Sequence, residues 1–194
     1  MTQLHSLFST PIIEERLDYS VEQIEALCQQ ERSKNPTGII KSNLGGWQSD
    51  NINYPDSPFF FLSDIERICQ EFSTHILKFN KSVVMSNAWI NINSKHSSNQ
   101  THTHPHCLLS GVYYIKIPEK CGSIEFQHPA IDMMSRDWPL QCNEYNPLNS
   151  LTWWLPPKEG TLYIFPSWIK HMVNPNMSDE ERISISFNVA VVKT

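Results

Sequence analysis

Arg182-Ile-Ser-Ile-Ser-Phe-Asn-Val-Ala-Val-Val192 is the stretch that decides the fold. In an extended chain Ile183, Ile185, Phe187 and Val189 share one face, and Arg182, Ser184, Ser186 and Asn188 share the other. A strand of this kind lays its apolar face on a core and turns its polar face to a cavity or to water. Further strand-like runs lie upstream. In residues 83–93, Trp89, Asn91 and Asn93 alternate with Ile90 and Ile92. Residues 108–117 are β-branched and aromatic, residues 122–127 follow a turn at Pro118-Glu-Lys-Cys-Gly122, and residues 160–168 form another run.

The first third reads differently. Val21, Ile24, Leu27 and Cys28 fall close to a helical stripe over residues 19–32, with Ser20 as N-cap. Residues 59–79 carry Leu62, Ile65, Ile68, Cys69, Phe72 and Ile76 at helical spacing, with a start near Ser63. Residues 34–58, rich in Asn, Gly, Pro and Ser, read as a loop with short extended pieces. The expected fold is therefore mainly β (α+β), a sandwich or barrel of the jelly-roll type behind two helices. One domain is expected over 1–194: 1–82 as mostly helical support, 83–194 as the jelly-roll core. Within it, the Pro- and Trp-rich segment 128–159 reads as a lid-like loop, with a short strand over 152–155 leading out of it.

Bulk properties exclude several classes. A chain of 194 residues, 40% of them hydrophobic, suits one folded domain. Net charge −5 and pI about 5.9, with no basic run, argue against nucleic acid as a partner. No run of 18 apolar residues and no secretion signal appear, so no membrane association is expected. Five cysteines, an odd number without a CxxC pair, disfavour a disulfide framework or zinc ribbon and suit a reducing cytoplasm. A homodimer is expected on base rate alone.

Two short patterns carry chemistry. His102 and His104, in Asn99-Gln-Thr-His-Thr-His-Pro105, point to the same side of an extended segment and present two imidazoles to one ion. Pro105 holds His104 extended. A third ligand must come from a distant strand, and His171 in Phe165-Pro-Ser-Trp-Ile-Lys-His171 is the candidate. Imidazole suits iron, zinc, copper and nickel. The pair alone is a weak signal, equally a solvated polar loop. Arg182, eleven residues after His171, opens the polar face of its strand. On a cavity wall it would need a bidentate carboxylate; on the surface it would pair with Asp179, Glu180 or Glu181.

Taken in order, Phe8-Ser-Thr-Pro-Ile12, Gly45-Gly-Trp-Gln-Ser49, His102-Thr-His-Pro105, Leu109-Ser-Gly-Val-Tyr-Tyr114, Phe165-Pro-Ser-Trp168 with His171, and Arg182-Ile-Ser-Ile-Ser-Phe-Asn188 resemble a family of 2-oxoglutarate- and Fe(II)-dependent oxygenases within the prolyl-hydroxylase-like superfamily. The resemblance spans nearly the whole chain. It implies a double-stranded β-helix core and a dioxygenase using Fe(II) and 2-oxoglutarate, with release of succinate and CO2 and hydroxylation of a substrate. It leaves ascorbate as an optional reductant. By position it assigns His102, His104 and His171 to the metal and Arg182 to the distal carboxylate of 2-oxoglutarate, where Ser184 adds a hydrogen bond. Asn91, Tyr114 and Tyr163 are further candidates for co-substrate contacts. Trp47, Trp138 and Trp153, together with Trp154, are candidates for a substrate pocket. The substrate is a small molecule or a protein side chain.

The pattern departs from the superfamily at His128-Pro-Ala130, where an acidic residue before the proline is favoured, and at a position that bears on the metal. His-x-Asp or His-x-Glu is usual there, and His104 stands in the carboxylate's place. A three-histidine centre, a carboxylate from Glu125 or Asp132, and a two-histidine centre are the readings left open. Two other functions compete: a cupin-like three-histidine metalloenzyme acting without 2-oxoglutarate, and a non-catalytic jelly-roll that binds a carboxylate.

Overall fold

The computed structural model describes residues 2–139 and 141–192. The two ends of the expected 1–194 domain, and residue 140 of its expected lid, lie outside them. In chain order the strands are β1 (Ile13–Arg16), β2 (Asn43–Leu44), β3 (Trp47–Gln48), β4 (Val83–Asn93), β5 (Ser98–His102) and β6 (Leu109–Lys116). They continue with β7 (Ile124–Gln127), β8 (Thr152–Leu155), β9 (Thr161–Pro166), β10 (His171–Val173) and β11 (Arg182–Val191). The helices are α1 (Val21–Lys34), α2 (Leu62–Glu71), which runs on into one π-helical turn (Phe72–Ile76), and α3 (Ile131–Asp137).

The strands form two antiparallel sheets, ordered β1-β9-β6-β11-β4-β3 and β2-β5-β10-β7-β8. From β4 onward the chain passes back and forth between them, which closes the double-stranded β-helix expected from the sequence. The six-stranded sheet is buried on both faces. Ile90, Ile92, Tyr113, Ile115, Ile183, Ile185 and Phe187 face one core, shared with Ile24 and Cys28 of α1 and Leu62, Ile65, Ile68 and Cys69 of α2. Val112, Tyr114, Tyr163 and Phe165 face a second core between the sheets, with Ile124 and Phe126 of β7. The alternation in β11 is thus the division between two interiors rather than between core and water.

The helices follow their local signals. Ser20 Oγ accepts from the Gln23 amide, and Arg32 and Lys34 sit in the last turn of α1, where the helix dipole favours cations. At α2 the start comes at Leu62 and Ser63 is no cap; its hydroxyl bonds the Phe60 carbonyl instead. Two expectations on organisation need correction. The N-terminal third is not only helical support, because β1 and β3 edge the larger sheet and β2 edges the smaller one. The segment 128–159 is not one loop, because it contains α3 as well as the strand expected over 152–155. Among the described residues no helix is long and apolar enough to cross a membrane.

Candidate metal centre

β5 and β10 are antiparallel neighbours, and His102 lies directly opposite His171. Cross-strand partners stand about 5 Å apart at Cβ, so the register alone brings these two rings together. His104 leaves the end of β5 two residues later, and its amide is tied to the Ser167 carbonyl at 3.0 Å. Ring centroids are 4.9 Å apart for His102 and His104, 4.4 Å for His102 and His171, and 5.1 Å for His104 and His171. One ring nitrogen from each lies within 4.8 Å of the other two. The Nε2 atoms of His104 and His171 are 3.3 Å apart.

Backbone carbonyls decide which nitrogens are free. His102 Nδ1 is 2.6 Å from the Gln100 carbonyl and His171 Nδ1 is 3.0 Å from that of Ile169. A carbonyl only accepts, so Nδ1 carries the hydrogen and Nε2 keeps its lone pair for the shared centre. His171, 4% exposed, is packed against the rings of Phe126 and Phe165. Burial pushes its pKa down to about 3, helped by the neighbouring His102. Burial, with His102 again beside it, takes His104 down to about 4, and burial also lowers His102. All three are neutral at neutral pH, the form that binds a cation.

The cluster contains no carboxylate among the described residues. Glu125 follows the opposite parity to buried Phe126 on β7 and accepts from Asn174 Nδ2 at 3.2 Å. Asp132 is exposed on α3.

Arg182 stands across the same cavity, opposite Asn93 of β4. It is 1% exposed. Its Nη1 donates to the carbonyls of Cys121 (2.5 Å), Gly122 (3.4 Å) and Asn174 (3.4 Å). The acidic residues next to it in sequence are engaged elsewhere: Asp179 with Lys95, Glu180 with Lys116, Glu181 with Arg32. The surface ion pair is therefore not what forms. Burial lowers the Arg182 pKa, and a buried guanidinium that faces only carbonyls still favours an anion. On the same wall, Asn91 Oδ1 and Asn93 Oδ1 are buried without a hydrogen-bond partner. Both are acceptors, so a hydrogen-bond donor is what would satisfy them.

His102, His104, His171, Arg182, Ser184, Asn91 and Tyr114 line one cavity with about 40 Å³ of free space. Four other candidates lie elsewhere. The Tyr163 hydroxyl is used up on the Pro156 carbonyl at 3.0 Å, outside the cavity lining. Trp47 is packed in the helix-covered core, its indole N–H bonded to the Asn35 carbonyl. Trp138 lines a separate cleft with Trp154, and Trp153 stacks on Trp154. The tryptophan that lines the metal cavity is Trp89, its ring 5.9 Å from that of His104. Asn93 and Ser186 also line it. All three share parity with Asn91 or Arg182, which was the available signal.

Comparison with known proteins agrees with this geometry. A family model described as "Putative 2OG-Fe(II) oxygenase" matches residues 87–188. No curated protein sequence matches the chain. Among solved structures, a Pseudomonas putida prolyl-4-hydroxylase superposes with TM-score 0.69 at 11% identity, over 96% of each chain. A viral collagen prolyl hydroxylase from Paramecium Bursaria Chlorella virus-1, solved with 2OG, gives 0.63 at 15% identity over 93% of this chain and 96% of its own. The carbocyclase SnoK from nogalamycin biosynthesis gives 0.64 at 11% identity over 93% and 79%. At these identities the likeness is one of fold.

Proposed function

The chain belongs to the 2OG-Fe(II) oxygenase family, and on that footing we propose that it hydroxylates a substrate C–H bond at an iron held by His102, His104 and His171, with 2-oxoglutarate gripped by Arg182. The observation that carries this reading is the juxtaposition of three Nε2-directed imidazoles with a buried guanidinium lacking a carboxylate, on one cavity. The three-imidazole donor set fits a borderline divalent ion. When bound, Fe(II) and 2-oxoglutarate supply the oxidising chemistry: dioxygen converts the co-substrate to succinate and CO2 and the substrate C–H to C–OH.

The chain's own residues do the positioning. The Gln100 and Ile169 carbonyls fix two imidazoles in the ligating tautomer. Arg182, its Nη1 tied to three backbone carbonyls, offers its remaining N–H groups to the distal carboxylate. Ser184 and Tyr114 are opposite one another across β11 and β6 and offer hydroxyls on the same wall. Val112, Phe165 and Trp89 keep bulk water away.

We extend the proposal to a small-molecule or protein side-chain substrate, to ascorbate as a reductant that sustains turnover, and to a homodimer. A reducing compartment such as the cytoplasm is supported by five free thiols. The test is anaerobic binding of 2-oxoglutarate to the Fe(II)-loaded chain. Wild type is expected to bind it only with metal present. Arg182→Lys, which keeps the charge but not the fork, and Arg182→Ala should weaken it by about tenfold and about a hundredfold while metal binding persists. Unchanged co-substrate affinity in both variants would refute the assignment and favour a three-histidine enzyme working without 2-oxoglutarate.

A further inference from the structure

The inner face of the larger sheet is a ladder of four rungs. In register these are Asn93–Arg182, Asn91–Ser184–Tyr114, Trp89–Ser186–Val112 and Asn87–Asn188–Ser110. The first three line the metal cavity and the fourth does not. Trp89, on the third rung, lies 5.9 Å from the ring of His104, and Phe165, in register with Ser110 on the fourth, lies 4.8 Å from that of His171, so the histidine cluster spans those two levels. Arg182 lies at one end of the ladder, two rungs (about 14 Å) from Trp89, and the Asn87–Asn188–Ser110 rung lies at the other end, one rung (about 7 Å) from Trp89. If the co-substrate runs from the histidine cluster towards Arg182, the last rung borders the opposite end of the cavity, the side left for the molecule to be oxidised.

That rung is built as a one-way hydrogen-bond relay. Ser110 Oγ donates to Asn188 Oδ1 at 2.7 Å, and Asn188 Nδ2 donates to Asn87 Oδ1 at 3.0 Å. Ser110 and Asn188 are 1% and 6% exposed, so the inner links are dry and firmly oriented. A carboxamide with its oxygen engaged has only N–H left to offer. Asn87, half-buried at the end of the relay, makes no hydrogen bond from its Nδ2 group to any of the described residues. A buried apolar rung would have sufficed to close the barrel; this one ends in a polarised donor on the same sheet face as the cavity, one rung beyond its lining.

We propose that the Asn87–Asn188–Ser110 rung is a substrate-binding element whose free Asn87 amide donates to a carbonyl oxygen close to the C–H bond that is hydroxylated. The inference rests on the co-substrate reading, because Arg182 fixes which side of the metal is left over. It narrows the substrate class to molecules that carry an acceptor oxygen, such as an amide, near the oxidised carbon. Asn87 and Asn188 are specificity-determining and positioning residues in this scheme.

The experiment uses the full chain loaded with paramagnetic Mn(II) and 2-oxoglutarate, and reads proton relaxation of two small probes, N-methylacetamide and dimethylammonium. Co-substrate binding is measured first, on its own. Wild type should enhance relaxation of the amide well above that of the cation. Asn87→Asp keeps the shape and replaces the donor by an acceptor, so it should cut the amide effect roughly fivefold and raise that of the cation. Asn87→Ala should lose the amide effect without gaining the other. Both variants should bind 2-oxoglutarate as wild type does, which shows that they are folded. No amide effect in wild type with co-substrate bound, or an equal effect in Asn87→Asp, overturns the inference alone. Failure of 2-oxoglutarate to bind in the first step overturns the co-substrate reading and this inference with it.

Discussion

At the scale of single residues, His104 departs most from the superfamily pattern, since it stands where a carboxylate is usual. Its ring reaches the centre because its amide is anchored on Ser167 and its side chain follows His102 on the same side of the strand. A third imidazole leaves the centre one negative charge poorer than a carboxylate would. His104→Asp restores that charge at the cost of a shorter reach. It is expected to retain Fe(II) within about tenfold of wild type, whereas His171→Ala, which removes the ring locked by Ile169, should weaken Fe(II) by at least about a hundredfold. Anaerobic metal titration checks both; equal losses would mean that a carboxylate at position 104 cannot take the place of the imidazole. The local signals here were plain: His-x-His parity and the first polar residue of a clean strand. What they could not supply was Arg182's company, because Cys121, Gly122 and Asn174 are remote from it in the chain or hidden in turns.

At the scale of elements, the turn into β7 holds the guanidinium. Gly122 has φ +82°, and a Cβ there would lie 2.2 Å from the Asn174 carbonyl oxygen, one of the three that Arg182 bonds. Gly122→Ala should therefore cost at least about 2 kcal/mol and weaken 2-oxoglutarate more than it weakens metal. Urea denaturation and the two titrations read this; a variant with unchanged stability would mean that the turn relaxes freely. Elements of this kind were the hardest to read. β5, Ser-Asn-Gln-Thr-His, has no apolar residue to set a period, and β10 is three residues long. They are strands because their neighbours offer a ladder of hydrogen bonds, not because of any propensity of their own.

At the scale of the whole molecule, two sheets enclose a cluster of imidazoles in a dry interior, and that has a consequence for the metal-free chain. Unfolded histidine titrates near 6.5, while His104 and His171 are pushed down to about 4 and about 3 in the folded state. Their folded pKa values are depressed, so below about 6.5 the unfolded chain takes up protons that the fold refuses. Stability should be flat above that pH and fall as pH drops from 6.5 towards 5, by at most about 1.4 kcal/mol per pH unit for each ring. Paired carboxylates such as Glu181 with Arg32 add their own loss only lower, below their usual range near 4.5. Urea midpoints at pH 7.5, 6 and 5 test this, with His171→Leu expected to flatten the slope; a flat wild-type profile would show that the rings are not dry.

By itself the sequence determined the alternation of β4 and β11, the two helical stripes, the Ser20 cap and the identity of three imidazoles and one guanidinium, because each is a matter of parity or spacing within one segment. Tertiary structure alone decided that His102 faces His171, that Trp89 rather than Trp47, Trp138 or Trp153 lines the metal cavity, that Tyr163 is engaged with Pro156, and that edge strands come from the N-terminal third. The physical reason is that periodicity fixes which way a side chain leaves its own strand. Which strand lies alongside, and at what register, is set only when both sheets close over a common interior.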